Sequence, residues 1–427
     1  MIRTAVGFLA LAASALAGFN PQSGRNVAVY WGQNSASVGQ ERLAYYCNNS
    51  VDIVNLAFIT SITPAAVDFA SATSKCIKSP LNTGVLLCKE LQEDIKTCQA
   101  KGTTVLISMG GGNSPSPNWV DAADAEKSAQ LIWDMFGPVT SSKVDRPFGT
   151  SVVNGFDLDF ETPVNHLSAF ADRLRHLMDS ATDKFYLSAA PQCVYPDANI
   201  GTTLDVVPFD IIQVQFYNNF CGISHFQEGM QSQSAFNFDV WDKWAQSSKN
   251  PRVRVLVGIP ASEDAAGKGS YTSGSKLQAA LQWSKKYPSF GGVMMWDVAQ
   301  LYANHGFLGE VVNGVGGNGE LQLNQISNPA TATISTLQSS SSSTSSLSSS
   351  ITSSVISTSS SSSTSSSSST STSSSISRSS SISSSSPVIS FAIPQWGQCG
   401  GHGYVGTEQC QAPYSCVFHS QWWSDCR

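Results

Sequence analysis

The stretch NGFDLDFE, residues 154–161, places three carboxylates at alternate positions of a run that is otherwise apolar. In a β-strand alternate side chains share a face, so Asp157, Asp159 and Glu161 are predicted to point one way and the intervening apolar side chains the other. Stacked like charges repel one another and lose solvation on burial, so at least one of the three is expected to hold a proton at neutral pH. Such a row costs stability, which indicates a function.

Acid catalysis and metal binding are the two functions that fit a row of acids on residues 154–161. No His lies near the row, and acids along one strand do not surround an ion, so acid catalysis is favoured. A protonated carboxyl suits glycoside cleavage, in which an acid donates to the leaving oxygen. A solvated strand face is the remaining alternative, and the apolar flanks argue against it. The sequence therefore predicts neither a metal nor a cofactor.

Short β-rich runs recur along the first 300 residues, separated by stretches with helical spacing. Eight strands that alternate with helices over this length predict an α/β fold, the (β/α)8 TIM barrel. The apolar side chains of residues 154–161 would then face the helices, and the acids the lumen. A doubly wound open sheet is the alternative, which would be expected to show a Gly-rich turn after its first strand. The predicted strands are Asn26–Tyr30, Asp52–Ile59, Thr103–Ser108, Val152–Phe160, Phe185–Ala190, Ile211–Phe216, Val253–Gly258 and Gly292–Trp296.

A long uncharged segment explains why only 13% of the 427 residues are charged, against about 25% in ordinary globular chains. Residues 339–386 contain 35 Ser and 6 Thr among 48 positions, with Arg378 as the single charge. This segment has too few apolar side chains to offset its chain entropy. We predict a disordered linker over residues 326–390, and its dense Ser and Thr predict O-glycosylation.

The first seventeen residues have the pattern of a secretory signal peptide. Arg3 precedes an apolar stretch, and Ala15-Leu16-Ala17 is a small-residue cleavage site, so residues 1–17 predict a secreted, extracellular protein rather than one that spans a membrane. The sequon at Asn48-Asn49-Ser50 adds a potential N-glycan. The net charge of −6 and the lack of a basic block argue against a nucleic-acid partner. A monomer is expected.

Ten cysteines divide evenly around the Ser/Thr segment. In a secreted protein they should be oxidised, and even numbers let each module close its own disulfides. Zinc binding is the alternative, and it is disfavoured because no C-x2-C pair occurs. The cysteines before the segment are Cys47, Cys76, Cys88, Cys98, Cys193 and Cys221, and those after it are Cys399, Cys410, Cys416 and Cys426.

With these motifs in order, the large module, residues 18–325, resembles the plant and fungal class III chitinases of glycoside hydrolase family 18. The acidic motif of that family, D-x-x-D-x-D-x-E, is matched except that Asn154 replaces its first Asp, a position that is structural in the family. Further matching stretches are Ser108-Met109-Gly110-Gly111, Tyr30-Trp31-Gly32-Gln33-Asn34, Ala189-Ala190-Pro191-Gln192-Cys193, Gln215-Phe216-Tyr217-Asn218-Asn219 and Gly292-Val293-Met294-Met295-Trp296.

The resemblance implies the substrate-assisted exception to two-carboxylate glycoside hydrolysis. Glu161 would protonate the glycosidic oxygen, and the carbonyl oxygen of the substrate's own 2-acetamido group would be the nucleophile, with net retention. Asp159 would orient the acetamide through its N–H, and Asp157 would share a proton with Asp159. Tyr217 would hydrogen-bond the acetamide oxygen.

The resemblance also implies how the substrate is bound and how the cysteines pair. Gln215 would lie beside the acetamide, Trp296 would form the apolar floor under the sugar, and Tyr30 and Phe58 would line the same subsite. The implied disulfides are Cys47–Cys98, Cys76–Cys88 and Cys193–Cys221.

Residues 391–427 form a unit too short to be held together by a hydrophobic core alone. They resemble the fungal family 1 carbohydrate-binding module, a small disulfide-rich β fold, which implies Cys399–Cys416 and Cys410–Cys426. The aromatic triad that would stack on sugars falls on Trp396, Trp422 and Trp423, with Gln398 as a polar contact. A tiny core built from these Trp is the alternative. Ser420 and Asp425 replace the polar residues that the family has near the C-terminus, so a preference between chitin and cellulose surfaces stays open.

Taken together, the sequence predicts a secreted endochitinase that cleaves internal β-1,4 bonds between N-acetylglucosamine units and is held on insoluble polysaccharide by its C-terminal module. An endo-β-N-acetylglucosaminidase acting on N-glycans is one alternative, although soluble glycoproteins need no surface-binding module. A non-catalytic chitin-binding lectin or an inhibitor is another, although both Glu161 and Tyr217 are present.

Overall fold

The computed structural model describes residues 18–33, 39–48, 50–80, 85–112, 114–139, 144–316, 392, 398–400, 409–420 and 423–427. The predicted signal peptide and Ser/Thr linker lie outside the described residues. Contacts divide the chain into two units, Met1–Ile326 and Ser327–Arg427, which we describe separately.

Within the described residues of the first unit, eight parallel strands close into a barrel in the order β1-β2-β6-β7-β8-β9-β10-β11, because β1 pairs with both β2 and β11. The predicted TIM barrel is confirmed. Strand β3 adds an antiparallel edge to β2, and β4 pairs with β5 in a separate two-stranded sheet. The strands are β1 Asn26–Trp31, β2 Ile53–Ile62, β3 Ala65–Val67, β4 Ile77–Lys78, β5 Leu86–Leu87, β6 Thr104–Gly110, β7 Gly155–Asp159, β8 Tyr186–Ala189, β9 Ile211–Gln215, β10 Arg254–Pro260 and β11 Phe290–Trp296.

Helices follow most of the barrel strands and cover the outside of the barrel. In α4, for example, Leu167, Phe170, Leu174 and Met178 recur at helical spacing and are all buried. The α-helices are α1 Leu43–Tyr46, α2 Lys89–Ala100, α3 Ala122–Phe136, α4 Leu167–Asp179, α5 Gly201–Val206, α6 Phe238–Ser247, α7 Gly274–Ser284, α8 Val298–Ala303 and α9 Phe307–Val315, and 3-10 turns occur at Ala70–Lys75, Ile223–His225 and Glu263–Ala265. In the part of the chain that the structure describes, we find no helix with the length and apolar character that a bilayer crossing requires.

Two apolar clusters show at which end of the barrel the polar lumen residues lie. Phe156 and Leu158 belong to the cluster between the barrel wall and the helices, as the alternation of residues 154–161 predicts. The second cluster fills the lumen. Its members near the amino ends of the strands include Phe19, Ala28, Ile53, Leu106, Ile211 and Leu256. Because this floor is apolar and closed, the polar lumen residues lie above it, toward the carboxyl ends of the strands.

Asn154, which departs from the family's acidic motif, ties the base of β7 to its neighbours. Its side-chain oxygen accepts hydrogen bonds from the backbone N–H of Val105 at 2.9 Å and from the Gln99 amide at 2.9 Å. Both contacts need only an acceptor, which Asn supplies as well as Asp does. The departure therefore leaves the start of the acidic strand supported.

Disulfides link loops of the first unit in the pairing that the resemblance implies. The bonds are Cys47–Cys98, Cys76–Cys88 and Cys193–Cys221. The last one joins the loop after β8 to the loop after β9, both at the carboxyl end of the barrel. It therefore stabilises the rim next to the acidic strand.

The second unit is described only in part. An antiparallel sheet has the order β12-β14-β13, with β12 at Gln398–Gly400, β13 at Cys416–Ser420 and β14 at Trp423–Cys426. Disulfides join Cys399 to Cys416 and Cys410 to Cys426, as the resemblance implies, so none of these sulfurs is free to bind a metal. Of the four predicted sugar-binding residues, Trp396 and Trp422 lie outside the described residues, and only the backbone is described for Gln398 and Trp423.

Candidate active site

The three acids lie at successive heights at the carboxyl end of β7. Asp157 is fully buried inside the barrel and Asp159, the last residue of the strand, is 3% exposed. Glu161 lies two residues past the strand end, in the following loop, and is exposed to solvent. The acids therefore lead from the interior of the barrel to its opening.

Asp157 is held by donors from several strands. One carboxylate oxygen accepts from the Tyr30 hydroxyl at 2.7 Å and from the Ser108 hydroxyl at 2.7 Å, and the other accepts from the Gln213 amide at 3.1 Å. Burial raises the pKa of Asp157, while these hydrogen bonds act in the opposite direction. Burial and the Asp157 charge raise the pKa of Tyr30 well above its ordinary value, so this phenol stays a donor.

Asp159 has the strongest reason among the three acids to hold a proton. Burial raises its pKa well above the ordinary value, and the charges of Glu161 and Asp157 raise it further. The Gln215 amide donates a hydrogen bond to Asp159 at 3.0 Å, which acts in the opposite direction and stabilises the charged form. The raised pKa of Asp159 agrees with the expectation, drawn from the spacing of the three acids alone, that one of them holds a proton at neutral pH.

Glu161 reaches the opening next to the same amide. The Gln215 amide lies 3.4 Å from one Glu161 oxygen. Although Glu161 as a whole residue is exposed, its carboxyl lines the pocket, and this partial enclosure raises its pKa. The Gln215 hydrogen bond lowers the pKa of Glu161, and the negative charge of Asp197 raises it. A raised pKa keeps an acid protonated over a wider pH range, which is what a proton donor requires.

Two glycines, one at the end of β6 and one in the loop that follows, make room for this arrangement. Gly110 has a φ of +108°, and a Cβ added to it would lie 2.4 Å from the Asp159 carbonyl oxygen. A Cβ on Gly112 would lie 3.0 Å from a Glu161 carboxylate oxygen. The Gly-rich stretch at the end of β6 therefore lets its backbone pass close to the acidic strand without displacing the acids.

An aromatic wall faces the acids across a pocket of about 200 Å³. The Phe58 and Trp296 rings stack at 5.9 Å with an interplanar angle of 20°, and Tyr30 lies 5.5 Å from Trp296. The peptide bonds Ala57–Phe58 and Trp296–Asp297 are cis. The pocket is lined by Tyr30, Phe58, Gly112, Asp159, Glu161, Ala190, Gln215, Tyr217, Asn218, Ala265, Met294 and Trp296.

Tyr217 completes the polar side of the pocket. It follows β9 and is 7% exposed. Burial raises its pKa well above the ordinary value, and the charges of Asp159, Glu161 and Asp297 raise it further. The phenol is therefore neutral and can donate a hydrogen bond to a ligand in the pocket.

The structure brings the predicted barrel residues together. Seven of them line this pocket, and the eighth, Asp157, lies directly below it and bonds to one of the seven, Tyr30. The donors that point at Asp157 and Asp159 are N–H and O–H groups, which would have to be displaced for a cation to bind there. The side-chain chemistry of this site therefore suits proton transfer better than metal ligation.

Sequence reasoning missed a polar layer beneath the pocket. The amides of Asn55 and Gln213 bond to each other across the lumen at 2.8 and 3.2 Å, and Gln213 also donates to Ser188 at 2.8 Å. These residues were detectable as polar positions in otherwise apolar strands. Asp197, in the loop after β8, was also missed.

Both units are similar to known proteins. The family "Glycosyl hydrolases family 18" matches residues 26–271, and "Fungal cellulose binding domain" matches residues 395–423. "Endochitinase 33" of Trichoderma harzianum is 48% identical over 310 residues, which are 71% of this chain and 96% of that protein. "Class III chitinase" of Arthroderma benhamiae is 44% identical over 322 residues, 73% of this chain and 92% of that protein. The solved structure of the xylanase and alpha-amylase inhibitor protein XAIP-II of Scadoxus multiflorus is similar at a TM-score of 0.54 and 29% identity, covering 67% of this chain and 98% of its own.

Proposed function

The chain belongs to glycosyl hydrolase family 18, and from this premise we propose that it is an endochitinase, which hydrolyses internal β-1,4 bonds between N-acetylglucosamine units of chitin. The observation that carries the proposal is the row Asp157, Asp159 and Glu161 at the pocket opposite the aromatic wall. An acid at the opening can reach a polymer, while the residues beneath it are closed off from water.

Glu161 is the proton donor in this mechanism. Its carboxyl lies at the opening of the pocket, and its raised pKa keeps the proton available. It transfers that proton to the glycosidic oxygen as the bond from this oxygen to the sugar's anomeric carbon breaks. In the second half of the reaction, the resulting carboxylate takes a proton from the attacking water.

The nucleophile is the carbonyl oxygen of the substrate's own 2-acetamido group, which bonds to the anomeric carbon and forms an oxazolinium ion. Asp159 accepts the acetamide N–H and stabilises the positive charge, and the neutral Tyr217 phenol donates to the acetamide oxygen. Water then opens the ring from the face that the leaving group occupied. Two inversions at the anomeric carbon give net retention.

Asp157 supports Asp159 from below. It lies two residues earlier on the same face of β7 and is held by the Tyr30 and Ser108 hydroxyls. The negative charge of Asp157 favours the protonated form of Asp159, so the two carboxyls share a proton. Release of that proton toward Asp157 lets Asp159 act as an acceptor for the acetamide.

The aromatic wall of Trp296, Phe58 and Tyr30 receives the sugar ring. Aromatic faces contact the C–H faces of pyranose rings, and their apolar character excludes water from the reacting centre. Gln215 holds the two upper acids through one amide, so that Asp159 and Glu161 keep a fixed separation before substrate binds.

A lectin or inhibitor on the same barrel is the alternative of a different class, since XAIP-II has the same fold. The fold alone does not separate these functions, so the side chains must. Glu161 and Tyr217 are both present and both line the pocket. A chitin-binding protein without hydrolytic activity needs neither an acid of raised pKa nor a donor to the acetamide.

Product analysis on the soluble N-acetylglucosamine hexamer tests the proposal. We expect shorter oligomers from cleavage at internal bonds, and no cleavage of the matched glucose hexamer, because glucose carries no acetamide to act as nucleophile. Equal cleavage of both hexamers would contradict a substrate-assisted mechanism. Binding of the N-acetylglucosamine hexamer without any products would favour the lectin.

We further propose that the protein is secreted as a monomer and acts outside the cell, with residues 391–427 holding it on polysaccharide surfaces across an O-glycosylated linker. A match to a fungal cellulose-binding domain at residues 395–423 supports this role, as does a disulfide-stapled unit too small for a hydrophobic core. The Trp residues of this module would stack on chains of either chitin or cellulose.

Deletion of residues 391–427 should lower activity on crystalline chitin by about tenfold, since a surface-bound enzyme has a raised effective concentration at its substrate. Activity on the soluble hexamer should change by less than about twofold, because the pocket lies in the other unit. Both activities are measured side by side on the full chain and the truncated chain. Equal losses on the two substrates would contradict an anchoring role.

A further inference from the structure

Asp197 is a buried acid near the pocket that the proposed mechanism does not use. It lies in the loop after β8 and is 6% exposed. Its carboxylate accepts the backbone N–H groups of Gln192 at 2.9 Å, Asn199 at 2.8 Å and Ile200 at 2.7 Å. Burial raises the pKa of Asp197, and the three N–H donors act in the opposite direction. Through these three hydrogen bonds the carboxylate closes the loop onto itself.

The loop that Asp197 closes is joined to Gln215, the amide that holds the upper acids. The Gln215 backbone N–H donates to the Pro191 carbonyl at 2.8 Å, and its carbonyl accepts from the Cys193 N–H at 3.2 Å. The Gln192 side chain also accepts from the Asn219 amide at 3.1 Å. Gln192 and Gln215 therefore form one further parallel β-bridge, which continues the pairing of β8 with β9.

The side-chain amide of Gln215 contacts both Asp159 and Glu161. Its amide donates to Asp159 at 3.0 Å and lies 3.4 Å from Glu161, and it also donates to the Ala190 carbonyl at 3.1 Å. A shift of the Gln215 backbone would therefore move the donor between the two carboxyls. Small displacements of this kind reduce turnover strongly, because the reacting groups must be aligned.

Several charged or titratable groups face Glu161 and its neighbours. Asp159 reaches it from β7, Tyr217 from the end of β9, and Asp197 from the loop after β8, while Asp297 at the start of α8 faces Tyr217. The charge of Asp197 raises the pKa of both Glu161 and Asp159. Of the two acids among these groups that have no proposed contact with substrate, Asp197 and Asp297, only Asp197 is tied through its loop to the backbone of Gln215.

We propose that Asp197 is a positioning residue of the reaction, which fixes the loop after β8 and thereby holds the Gln215 amide between Asp159 and Glu161. This inference rests on the proposed role of Glu161 as the acid. It assigns to the loop after β8 the task of fixing the amide donor that lies between the two upper acids.

Replacement of Asp197 by a neutral residue separates this proposal from a merely structural role. In Asp197→Asn one oxygen remains to accept N–H bonds and the charge is lost. In Asp197→Ser a small hydroxyl keeps an acceptor for the local N–H groups. We expect kcat on the soluble hexamer to fall by about tenfold with a smaller change in KM. The alkaline limb of the pH profile of kcat should move to lower pH, because removing a negative charge makes Glu161 lose its proton more easily.

Asn199→Ala is the matched control, since it alters the same loop but keeps the backbone N–H that bonds to Asp197. Its alkaline limb and kcat should equal those of the unchanged protein. Folding of each full-length variant is checked by circular dichroism and thermal unfolding. A folded neutral variant whose kcat stays within about twofold of that of the unchanged protein, or whose KM changes as much as its kcat, would overturn the proposal. Failure of both neutral variants to fold would also overturn it, because Asp197 would then only hold the loop. A working unchanged enzyme in these assays shows that such failures concern Asp197 and not the proposed function.

Discussion

Glu161→Gln should lower kcat on the soluble N-acetylglucosamine hexamer on the order of 10³-fold while leaving KM close to its original value. Gln has the shape of Glu but no proton to give to the leaving oxygen. The neighbouring Gln215 amide, 3.4 Å from the Glu161 carboxylate, does not supply one either. Binding should persist because the aromatic wall of Phe58 and Trp296 is untouched.

Glu126→Gln is a suitable control for this result. Glu126 is exposed on α3, outside the barrel, and the change removes the same charge without touching the pocket. Its kcat should equal that of the unchanged enzyme. Hydrolysis by Glu161→Gln at a rate within about threefold of the unchanged enzyme would mean that the proton comes from another group, and it would remove the central residue of the mechanism.

Asp159→Asn should lower kcat by about 10²- to 10³-fold. In the unchanged protein the Gln215 amide donates to an Asp159 oxygen at 3.0 Å. The side-chain oxygen of Asn can accept the same hydrogen bond, so the geometry of the site should survive. What is lost is the carboxylate that accepts the acetamide N–H and offsets the positive charge of the oxazolinium ion. Because the loss concerns charge that develops only in the reaction, KM should change little.

The exposed Asp183, in the loop before β8, provides the matching control for this second variant. Asp183→Asn should leave both kinetic constants unchanged. A further experiment measures kcat of both Asp159→Asn and Glu161→Gln on a series of substrates with better leaving groups. Such substrates should rescue the variant that lacks the acid, since their leaving oxygen needs less protonation, but not Asp159→Asn. Rescue of both variants to the same extent would contradict the separate roles.

The barrel was predictable from the sequence because each strand of a closed parallel sheet is buried on both faces and reads as a short apolar run. The predicted strand Ile211–Phe216 differs from the observed Ile211–Gln215 by one residue. The acidic strand was predicted over Val152–Phe160 and spans Gly155–Asp159, so Glu161 belongs to the loop. Strands β3, β4 and β5, of two or three residues, were not predicted, because pairing with a neighbour and not a sequence pattern makes them.

The candidate site was predictable where a motif carries it and not where the contacts depend on three-dimensional pairing. The acids and aromatics of the pocket follow from the row 154–161 and from the resemblance. Asn55 and Gln213 are single polar residues in apolar strands, and which face they occupy is known only once register is fixed. Asp197 acts through backbone N–H groups of its own loop, and such contacts leave no residue pattern in the sequence.

The measurement that most directly tests the account is the anomeric form of the first products from the soluble N-acetylglucosamine hexamer, followed by proton NMR before mutarotation. Attack by the acetamide oxygen and then by water, on opposite faces of the anomeric carbon, predicts that the new reducing ends appear as the β anomer, with retention. Initial release of the α anomer would contradict the account, because inversion requires water to attack directly. Asp159 and Tyr217 would then have no acetamide nucleophile to hold.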